Sequence, residues 1–336
     1  MTQSAVIFSP EGTELTKYER RFFQKIKPFG FILFERNCKD KEQIKSLITD
    51  LRKIVRGNKI FIFIDQEGGT VKRLKSSNWF NLDSAKSFGN LYKKKKLKAK
   101  KILEFSSYIV ASELKDLGID ANCAPVLDVA FKSTASFLID RIFSKDPHTV
   151  CKLGEIVLKS YQKVGILPVI KHIPGHGRAK IDSHYQLPKV NCTLKELKKV
   201  DFLPFKKMSS APFAMTAHIS YGCINPYTPL TFSKIAIDEI IRKYIGFDGL
   251  LLSDDLNMKC LEGGLDIRVK MAYEAGCDIV MHCSGKMEEM ELICSELRTI
   301  RGKTKLRTKR ILSIFEKRKN IDIDKCREDL ACIIKA

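Results

Sequence analysis

Eight short β-like runs, separated by longer segments with helical spacing, constrain the fold of this 336-residue chain more than any other feature. The runs occupy residues 5–8, 30–34, 60–64, 120–126, 167–170, 213–216, 249–253 and 278–282. Regular alternation of buried strands with helices is typical of a parallel sheet. Eight such units favour closure into a barrel over an open doubly wound sheet. The sequence therefore predicts an α/β fold, a single (β/α)8 TIM barrel.

Polar side chains follow most of these runs directly, at the end where each predicted strand stops. They are Glu35, Arg36, Asp65, Asp128, Lys171, His172, His218, Asp254, Asp255 and His282. In a (β/α)8 barrel the carboxyl ends of the strands meet at one face, and the βα loops on that face build the active site. We therefore expect the active site at the C-terminal face of the strands.

A histidine-rich segment, residues 171–184 with the sequence KHIPGHGRAKIDSH, contains three of the six histidines in the chain. Proline and glycines interrupt it, which indicates a loop. Asp182 and His184 are two residues apart, so on an extended loop their side chains point the same way. The carboxylate can then orient the imidazole and raise its basicity, as general acid/base catalysis requires. We expect His176, which lies between two glycines, to be a hydrogen-bonded structural histidine.

The same segment leaves zinc binding open as an alternative, since imidazole and carboxylate are good zinc ligands. The side chains concerned are His172, His176, Asp182 and His184. Against this alternative, the chain has no HExxH motif, and Lys171 places a cation beside the segment. The eleven cysteines include no CxxC pair, a pattern that fits reduced thiols better than disulfides or structural zinc. We therefore expect no metal and no cofactor.

Two adjacent carboxylates, Asp254 and Asp255, follow the seventh run within residues 247–256, FDGLLLSDDL. Neighbouring side chains on an extended segment point to opposite sides, so only one of the two can face the barrel axis. A capping role for the next helix suits one of them but not both. We favour Asp254 as the functional carboxylate and assign Asp255 a supporting or capping role.

The loop after the third run, residues 64–74 with the sequence IDQEGGTVKRL, combines acids, a glycine pair and an arginine. The glycines permit a tight turn, after which Arg73 can fold back toward the pocket. The phosphate-loop pattern GxxxxGK[ST] is missing, and the carboxylates of Asp65 and Glu67 would repel phosphate. Sugar hydroxyl groups suit Asp65 and Arg73 better, because carboxylate and guanidinium can each make two parallel hydrogen bonds.

The net charge of +21 raises a second hypothesis, a catalytically inactive basic barrel that binds nucleic acid or an anionic wall polymer. Residues 93–101 contain seven lysines, and residues 303–319 contain eight basic residues against one acid. Apolar residues interrupt both runs at helical spacing, so solvated faces of amphipathic helices are the simpler interpretation. Nucleic-acid bases stack on aromatic platforms, and these runs have few. We expect no nucleic-acid partner.

The chain shows no feature of a membrane or multidomain protein. No apolar run approaches the roughly 20 residues that span a bilayer, and the amino terminus does not resemble a secretory signal. We therefore expect a cytoplasmic protein without a membrane partner. We also expect a monomer. No linker or composition shift marks a second domain, so the prediction is one domain over residues 1–336. A terminal helix at residues 320–336 is expected to pack on the barrel through Cys332, Ile333 and Ile334.

Four motifs occur in order at the predicted strand ends: IDQEGG, KHIPGHG followed by DSH, MTAHI, and FDGLLLSDDL. With these motifs the chain resembles, over nearly its whole length, the bacterial β-N-acetylglucosaminidases of glycoside hydrolase family 3, the NagZ type. The resemblance implies a single catalytic TIM-barrel domain in the cytoplasm. It also implies removal of N-acetylglucosamine from peptidoglycan fragments, anhydro-muropeptides in particular, during cell-wall recycling.

The resemblance also implies roles for individual residues. Asp254 matches the catalytic nucleophile, and His184 matches the general acid/base, with Asp182 as its partner. Residues that grip the sugar match Asp65, Arg73, Arg141, Lys171 and His172. The implied reaction is retaining hydrolysis through a covalent glycosyl-enzyme on Asp254.

Two departures from the family pattern bear on substrate preference more than on catalysis. Thr70 stands where the family often has an arginine, and residues 139–144, IDRIFS, replace the frequent GDRSFG. The second change removes glycines that shape the loop around Arg141. Within residues 171–184, Gly175 and Gly177 are expected to give the loop the freedom to bring His184 across to Asp254.

Overall fold

A closed barrel of eight parallel strands forms the centre of the protein, as seen in a computed structural model that describes residues 3–55, 59–183, 185–315 and 321–335. The strands are β1 Ser4–Phe8, β2 Pro28–Leu33, β3 Phe61–Ile64, β4 Ala121–Asn122, β5 Leu167–Ile173, β6 Phe213–Thr216, β7 Leu250–Asp255 and β8 Ile279–His282. Strands that follow one another in the chain are neighbours in the barrel, and β1 closes it by pairing with β8. Each predicted run overlaps one strand, so the (β/α)8 prediction is confirmed.

Strand β4 is shorter than predicted, because regular pairing ends at Asn122 rather than at Val126. Pro125 has no backbone N–H and cannot donate to a ladder. Beyond it, Val126 meets Lys171 only in an isolated bridge, and the backbone N–H of Leu127 donates to the Lys171 carbonyl at 2.8 Å. The chain therefore stays beside β5 after the strand has ended, which brings the following loop to the C-terminal face.

Helices surround the barrel, and several of their ends carry capping residues. The helices are α1 Lys17–Ile26, α2 Lys41–Ile54, α3 Ala85–Lys94, α4 Lys96–Leu117, α5 Ser136–Ile139, α6 Pro147–Val164, α7 Leu194–Lys199, α8 Leu203–Lys207, α9 Leu265–Ala275, α10 Met287–Leu292, α11 Gly302–Phe315 and α12 Ile323–Lys335, with a π-helix at Ala236–Tyr244. Thr16 and Glu19 form a capping box at the start of α1. Gly118, Gly165 and Gly276 end α4, α6 and α9 in the left-handed conformation.

Four phenylalanine rings fill the lower interior of the barrel. Phe29, Phe61, Phe63 and Phe213 are completely buried, and their ring centroids lie 4.9 to 6.5 Å apart. Their burial contributes on the order of 2 kcal/mol per ring to folding. This end of the barrel is therefore a packed core, and the space for a ligand lies at the opposite, C-terminal end of the strands.

The terminal helix α12 lies against α4 on the outside of the barrel. Its buried side chains are Cys326 and Leu330, four residues apart on one face. The prediction that Cys332 and Ile334 make the apolar contacts is wrong, because both are exposed, and Ile333 is half-buried. Within the described ranges, no helix combines the length and apolarity that a membrane span requires.

Candidate active site

A cavity of about 610 Å³ opens at the C-terminal end of the barrel. It is lined by seven of the eight side chains predicted for the site, which come from four different βα segments. They are Asp65, Arg73, Arg141, Lys171, His172, Asp182 and Asp254. The eighth, His184, lies outside the described residues. The strand ends thus bring together side chains that are far apart in the sequence, as the barrel topology predicts.

Lys171 forms a buried ion cluster with two carboxylates on the floor of this cavity. Its Nζ lies 2.7 Å from Oδ1 of Asp65 and 2.6 Å from Oε1 of Glu67, and only 3% of the lysine side chain is exposed. Burial opposes the charge of Lys171, but the attraction of the two carboxylates outweighs it and raises the pKa of the lysine above its ordinary value. The cluster is therefore fully ionised at neutral pH and holds fixed charges against the cavity.

Arg73 returns to the cavity through the turn after β3, as its sequence context predicts. Gly68 and Gly69 have φ angles of 93° and 58°, in the region that favours glycine. The side-chain carbonyl of Gln66 accepts a hydrogen bond from the backbone N–H of Arg73 at 2.8 Å. The guanidinium then reaches Oδ2 of Asp65 at 3.1 Å. The turn therefore places a second cation on the Asp65 carboxylate.

Arg141 makes a bidentate ion pair with Glu67, through Nε at 2.8 Å and Nη2 at 2.9 Å. Burial would raise the pKa of Glu67, but the charges of Arg141 and Lys171 lower it to about 2. Glu67 was not predicted as a site residue. Its position two residues after Asp65, on the same side of an extended chain, was the available signal. Glu67 links the two cations that were predicted to grip the sugar.

His172 is oriented by Asp128, a fully buried carboxylate in the segment that follows β4. Nδ1 of His172 lies 2.7 Å from Oδ2 of Asp128, and Nε2 lies 3.4 Å from Nη2 of Arg141. Because the guanidinium can only donate, Nε2 acts as the acceptor and Nδ1 carries the proton that is donated to Asp128. Asp128 appeared in the sequence only as a polar residue after the fourth run, and its role as the partner of His172 was not predicted.

Asp254 presents its carboxylate to the cavity from the end of β7. Its Oδ1 accepts a hydrogen bond from the backbone N–H of Asp255 at 2.8 Å, and its own N–H donates to Oγ1 of Thr216 at 3.3 Å. Burial alone would raise the pKa of Asp254. His218, His172 and the hydrogen bond from Asp255 together hold it below its ordinary value. Asp254 is therefore a carboxylate, not a carboxylic acid, at neutral pH.

The neighbouring Asp255 has the supporting role expected for it. Its Oδ1 accepts hydrogen bonds from the backbone N–H groups of Asn257 and Cys283, both at 3.1 Å. These contacts tie the turn after β7 to the segment after β8. Both residues line the cavity, but their hydrogen-bond partners differ. Asp255 binds backbone groups of two loops, whereas Asp254 accepts from the backbone N–H of Asp255.

Of two expectations about the glycine-rich segment, one stays a prediction and the other is wrong. Gly175 and Gly177 were expected to give the loop the freedom to bring His184 to Asp254, a motion that stays a prediction because His184 lies outside the described residues. In this structure both glycines permit close packing: a Cβ atom on Gly177 would lie 1.8 Å from the carbonyl oxygen of Val129, and Gly175 has a φ angle of 142° and packs against Asp201. His176 was expected to be hydrogen-bonded, but neither of its buried ring nitrogens has a partner within the described part of the chain.

Asp182 lines the cavity on the last part of the same segment. Its backbone carbonyl accepts hydrogen bonds from the N–H groups of Tyr185 and Gln186 at 3.1 and 3.2 Å. Its predicted partner His184 lies outside the described residues. Among the residues that are described, no three histidine, cysteine, aspartate or glutamate side chains are arranged to hold a metal ion. The zinc alternative that included His184 is not tested by this arrangement.

Comparison with known proteins places these features in a family. Residues 13–314 match the family described as Glycosyl hydrolase family 3 N terminal domain. A beta-hexosaminidase of Thiobacillus denitrificans is 34% identical over 288 residues, which cover 84% of this chain and 79% of that protein. A beta-hexosaminidase of Neisseria gonorrhoeae is 35% identical over 260 residues, covering 76% of this chain and 71% of that protein.

Solved structures show the same similarity in three dimensions. NagZ from Neisseria gonorrhoeae, in complex with N-trifluoroacetyl-D-glucosamine, superposes with a TM-score of 0.88 at 27% identity, covering 99% of this chain and 98% of that one. A family 3 β-N-acetylglucosaminidase from a Paenibacillus species superposes with a TM-score of 0.84 at 26% identity, covering 93% of this chain and 61% of that one. The resemblance predicted from the motifs is confirmed. This chain therefore belongs to glycoside hydrolase family 3, in which it is an enzyme of the β-N-acetylhexosaminidase class.

Proposed function

We propose that this enzyme is a retaining β-N-acetylglucosaminidase that removes N-acetylglucosamine from peptidoglycan fragments, with Asp254 as the nucleophile. The observation that carries the proposal is the position of the Asp254 carboxylate, with a lowered pKa, in the same cavity as the ion cluster of Asp65, Glu67 and Lys171. A sugar ring held by that cluster exposes its anomeric carbon to a carboxylate that is already ionised.

The proposed reaction has two steps. In the first, a carboxylate oxygen of Asp254 bonds to the anomeric carbon while the glycosidic bond breaks, and the imidazolium of His184 gives its proton to the leaving oxygen. In the second, water attacks the anomeric carbon of the glycosyl ester and releases Asp254, and His184 takes the proton from that water. Two inversions at one carbon retain the β configuration. Asp182 is the proposed partner that orients His184.

The ion cluster suits a sugar because a sugar is neutral and the charges of the cluster are already paired with one another. Asp65, Arg73, Lys171, Arg141 and His172 supply donors and acceptors for hydroxyl groups. Since each is fixed by at least one ionic or hydrogen-bonded neighbour, binding the sugar requires little reorganisation of the protein. Such preorganised polar groups contribute to catalysis wherever they bind the transition state more tightly than the substrate.

The relatives support the choice of sugar, and the biological substrate is proposed from the motif resemblance alone. The Neisseria gonorrhoeae structure contains an N-acylated glucosamine derivative. Its superposition on this chain covers 98% of the Neisseria gonorrhoeae chain. By analogy we propose N-acetylglucosamine as the released sugar and anhydro-muropeptides of cell-wall recycling as its source. We further propose that residues 1–336 act as one catalytic domain, in a cytoplasmic and monomeric enzyme.

The decisive experiment compares an aryl N-acetyl-β-glucosaminide with the corresponding aryl β-glucoside. We expect clear preference for the N-acetylated substrate and initial release of the β-anomer, followed by proton NMR. Equal rates on both substrates contradict N-acetyl recognition, and initial release of the α-anomer contradicts the retaining mechanism. A purified 1,6-anhydro-muropeptide tests the natural substrate separately. Asp238→Ala removes an exposed carboxylate paired with Lys234, and it is expected to have wild-type activity. It controls for losses of activity caused by the expression and purification of variants.

A further inference from the structure

Arg178 is a cation within residues 171–184 that the proposed mechanism does not use. Its Nε donates to both carboxylate oxygens of Asp201, at 2.9 Å to Oδ2 and at 3.1 Å to Oδ1. The two side chains are 18% and 2% exposed, so solvent screens the pair little. A charge-assisted hydrogen bond is also stronger than one between neutral groups. Arg178 therefore ties its part of the segment to Asp201, which lies between α7 and α8.

Arg178 and Asp201 each have a second contact that holds the pair in position. The guanidinium carbon of Arg178 lies 4.1 Å from the centroid of the Phe131 ring, which is a cation–π contact with the loop after β4. A Cβ atom on Gly175 would lie 3.1 Å from the Cβ atom of Asp201, so the chain also packs on Asp201 at that glycine. The segment is therefore joined both to the loop after β4 and to the connection between α7 and α8.

Backbone carbonyls on both sides of Arg178 accept hydrogen bonds from the loop after β4. Oγ1 of Thr134 donates to the carbonyl of Gly177 at 2.6 Å, and the N–H of Ala135 donates to the carbonyl of Ala179 at 2.8 Å. Ala179 is completely buried, whereas the next two residues are exposed. The buried stretch that contains Arg178 therefore ends shortly before the proposed acid/base pair.

The ion pair is complete at neutral pH. Burial raises the pKa of Asp201 to about 6, although the charge of Arg178 opposes this shift. Burial also opposes the charge of Arg178, but the attraction of Asp201 outweighs it and raises the pKa of the guanidinium. Both groups are therefore charged at pH 7. Without the guanidinium, a buried carboxylate would lack its cation, and the surrounding chain would no longer be held in this arrangement.

We infer that Arg178 is a positioning residue for general acid/base catalysis, since it anchors the buried stretch that precedes Asp182 and His184. The inference rests on the proposed function, in which that pair protonates the leaving oxygen. Asp182 follows Arg178 by four residues and lines the cavity, whereas the guanidinium is bound to Asp201. Arg178 thus acts through the pair and touches no reacting atom. A misplacement of about 1 Å can reduce catalysis by about 10²-fold, so the position of this stretch affects the reaction.

The leaving group of the substrate separates this role from a purely structural one. The methylumbelliferyl N-acetyl-β-glucosaminide has the more basic leaving oxygen, whereas the dinitrophenyl compound departs without a proton. We expect Arg178→Gln to lower kcat/KM by about 10- to 100-fold on the first substrate and to leave the second close to wild type. Arg178→Lys keeps the charge without the planar guanidinium, so we expect a smaller loss with the same selectivity.

The matched control is Arg310→Gln, which replaces an exposed arginine paired with the exposed Asp248 and should match the wild type on both substrates. A folded Arg178→Gln that loses equally on both substrates has only a structural defect, and this outcome overturns the inference. Wild-type kinetics of Arg178→Gln on both substrates also overturn it. If the glutamine variant does not fold, Arg178→Lys decides by the same comparison, because equal losses or wild-type kinetics contradict the inference there too.

A second substitution in the His184→Ala background gives an independent check. Because Arg178 acts through His184, adding Arg178→Gln to this variant should cause no further loss of kcat/KM on the methylumbelliferyl substrate. A further loss as large as that in the wild-type background contradicts the inference. If His184→Ala itself loses equally on both leaving groups, the proposed acid/base is wrong. That result concerns the proposed function and is distinguishable, because it does not involve Arg178.

Discussion

The ammonium group of Lys171 lies 2.7 Å from the carboxylate of Asp65, and the two side chains, 3% and 13% exposed, lie at the ends of strands that are separated by β4. Lys171 also binds Glu67 at 2.6 Å. Replacing Lys171 with methionine keeps most of the volume but leaves two buried carboxylates without this cation. Removing one partner of a buried ion pair costs about 3 to 5 kcal/mol. We expect Lys171→Met to lower the free energy of unfolding by about that amount in urea titrations.

The matched control for this prediction is Lys159→Ala, which breaks an exposed i,i+4 pair with Glu155 on α6. Exposed pairs of this kind contribute only about 0.3 to 0.5 kcal/mol, because water screens them. A Lys171→Met variant as stable as Lys159→Ala would show that the buried cluster does not depend on its lysine.

Glu67 should make the stability of the enzyme depend on acid pH. Its pKa in the folded protein is lowered from about 4.5 to about 2 by Arg141 and Lys171, against the effect of burial. Because the folded-state pKa is the lower one, this stabilisation is complete above about pH 4.5 and is lost as the pH falls through about 2. The contribution is on the order of 3 kcal/mol, since one pKa unit corresponds to about 1.4 kcal/mol.

The measurement is the urea-unfolding free energy as a function of pH in wild type and Glu67→Gln. We expect the loss of stability between pH 5 and pH 2 to be smaller in the variant, which cannot titrate at this position. Glu155→Gln, at an exposed carboxylate, should retain nearly the full wild-type dependence. Identical pH profiles for wild type and Glu67→Gln would contradict the assignment.

The fold and the part of the site that directly follows the strands were predicted from periodicity and topology, because apolar runs and the residues after them can be read locally in the sequence, whereas Arg141 was assigned only through the family resemblance. Each strand is a short apolar run, and parallel strands in a barrel must bring their carboxyl ends to one face. Asp65, Lys171 and Asp254 could therefore be placed in one cavity without knowledge of any contact between them. The same reasoning gives no distances, so it could not say which of these groups pair.

The features that the sequence did not reveal depend on contacts between distant segments. Glu67 became part of the site only through Arg141 and Lys171, and Asp128 only through His172. The glycines around His176 are ambiguous in the sequence, because glycine serves both mobile loops and close packing. The contact of Gly177 with the carbonyl of Val129 shows that this glycine permits close packing, and Val129 belongs to another βα segment.

Because Gly177 is closely packed, we expect its substitution by alanine to lower both the stability and the activity of the enzyme. In Gly177→Ala the new methyl group would lie 1.8 Å from the Val129 carbonyl oxygen, so backbone must move. Overpacking of this kind costs about 1 to 3 kcal/mol and displaces nearby groups. We expect a lower free energy of unfolding, and a lower kcat/KM because His172 and His176 belong to the same segment.

Gly12→Ala is the control, since nothing lies within 4 Å of a Cβ atom at that position. It should unfold and react like the wild type. If Gly177→Ala also behaved like the wild type, the segment would have to be free to move, as the sequence alone had suggested. Differential scanning calorimetry and steady-state kinetics on the same preparations separate these outcomes.

His184 and Asp254 should respond differently to the leaving group, because their proposed roles differ. General acid catalysis is typically worth about 10²- to 10⁴-fold, and it matters most when the leaving oxygen is basic. We expect His184→Ala to lose about that factor on a methylumbelliferyl or disaccharide substrate. It should lose much less on a dinitrophenyl N-acetyl-β-glucosaminide, whose leaving group departs without a proton.

Asp254→Ala removes the nucleophile and should be nearly inactive on every substrate, whatever its leaving group. Plots of log kcat/KM against leaving-group pKa should therefore become steeper for His184→Ala and collapse to background for Asp254→Ala. Wild-type turnover by Asp254→Ala would exclude it as the nucleophile. An unchanged slope in His184→Ala would place the general acid elsewhere in the cavity.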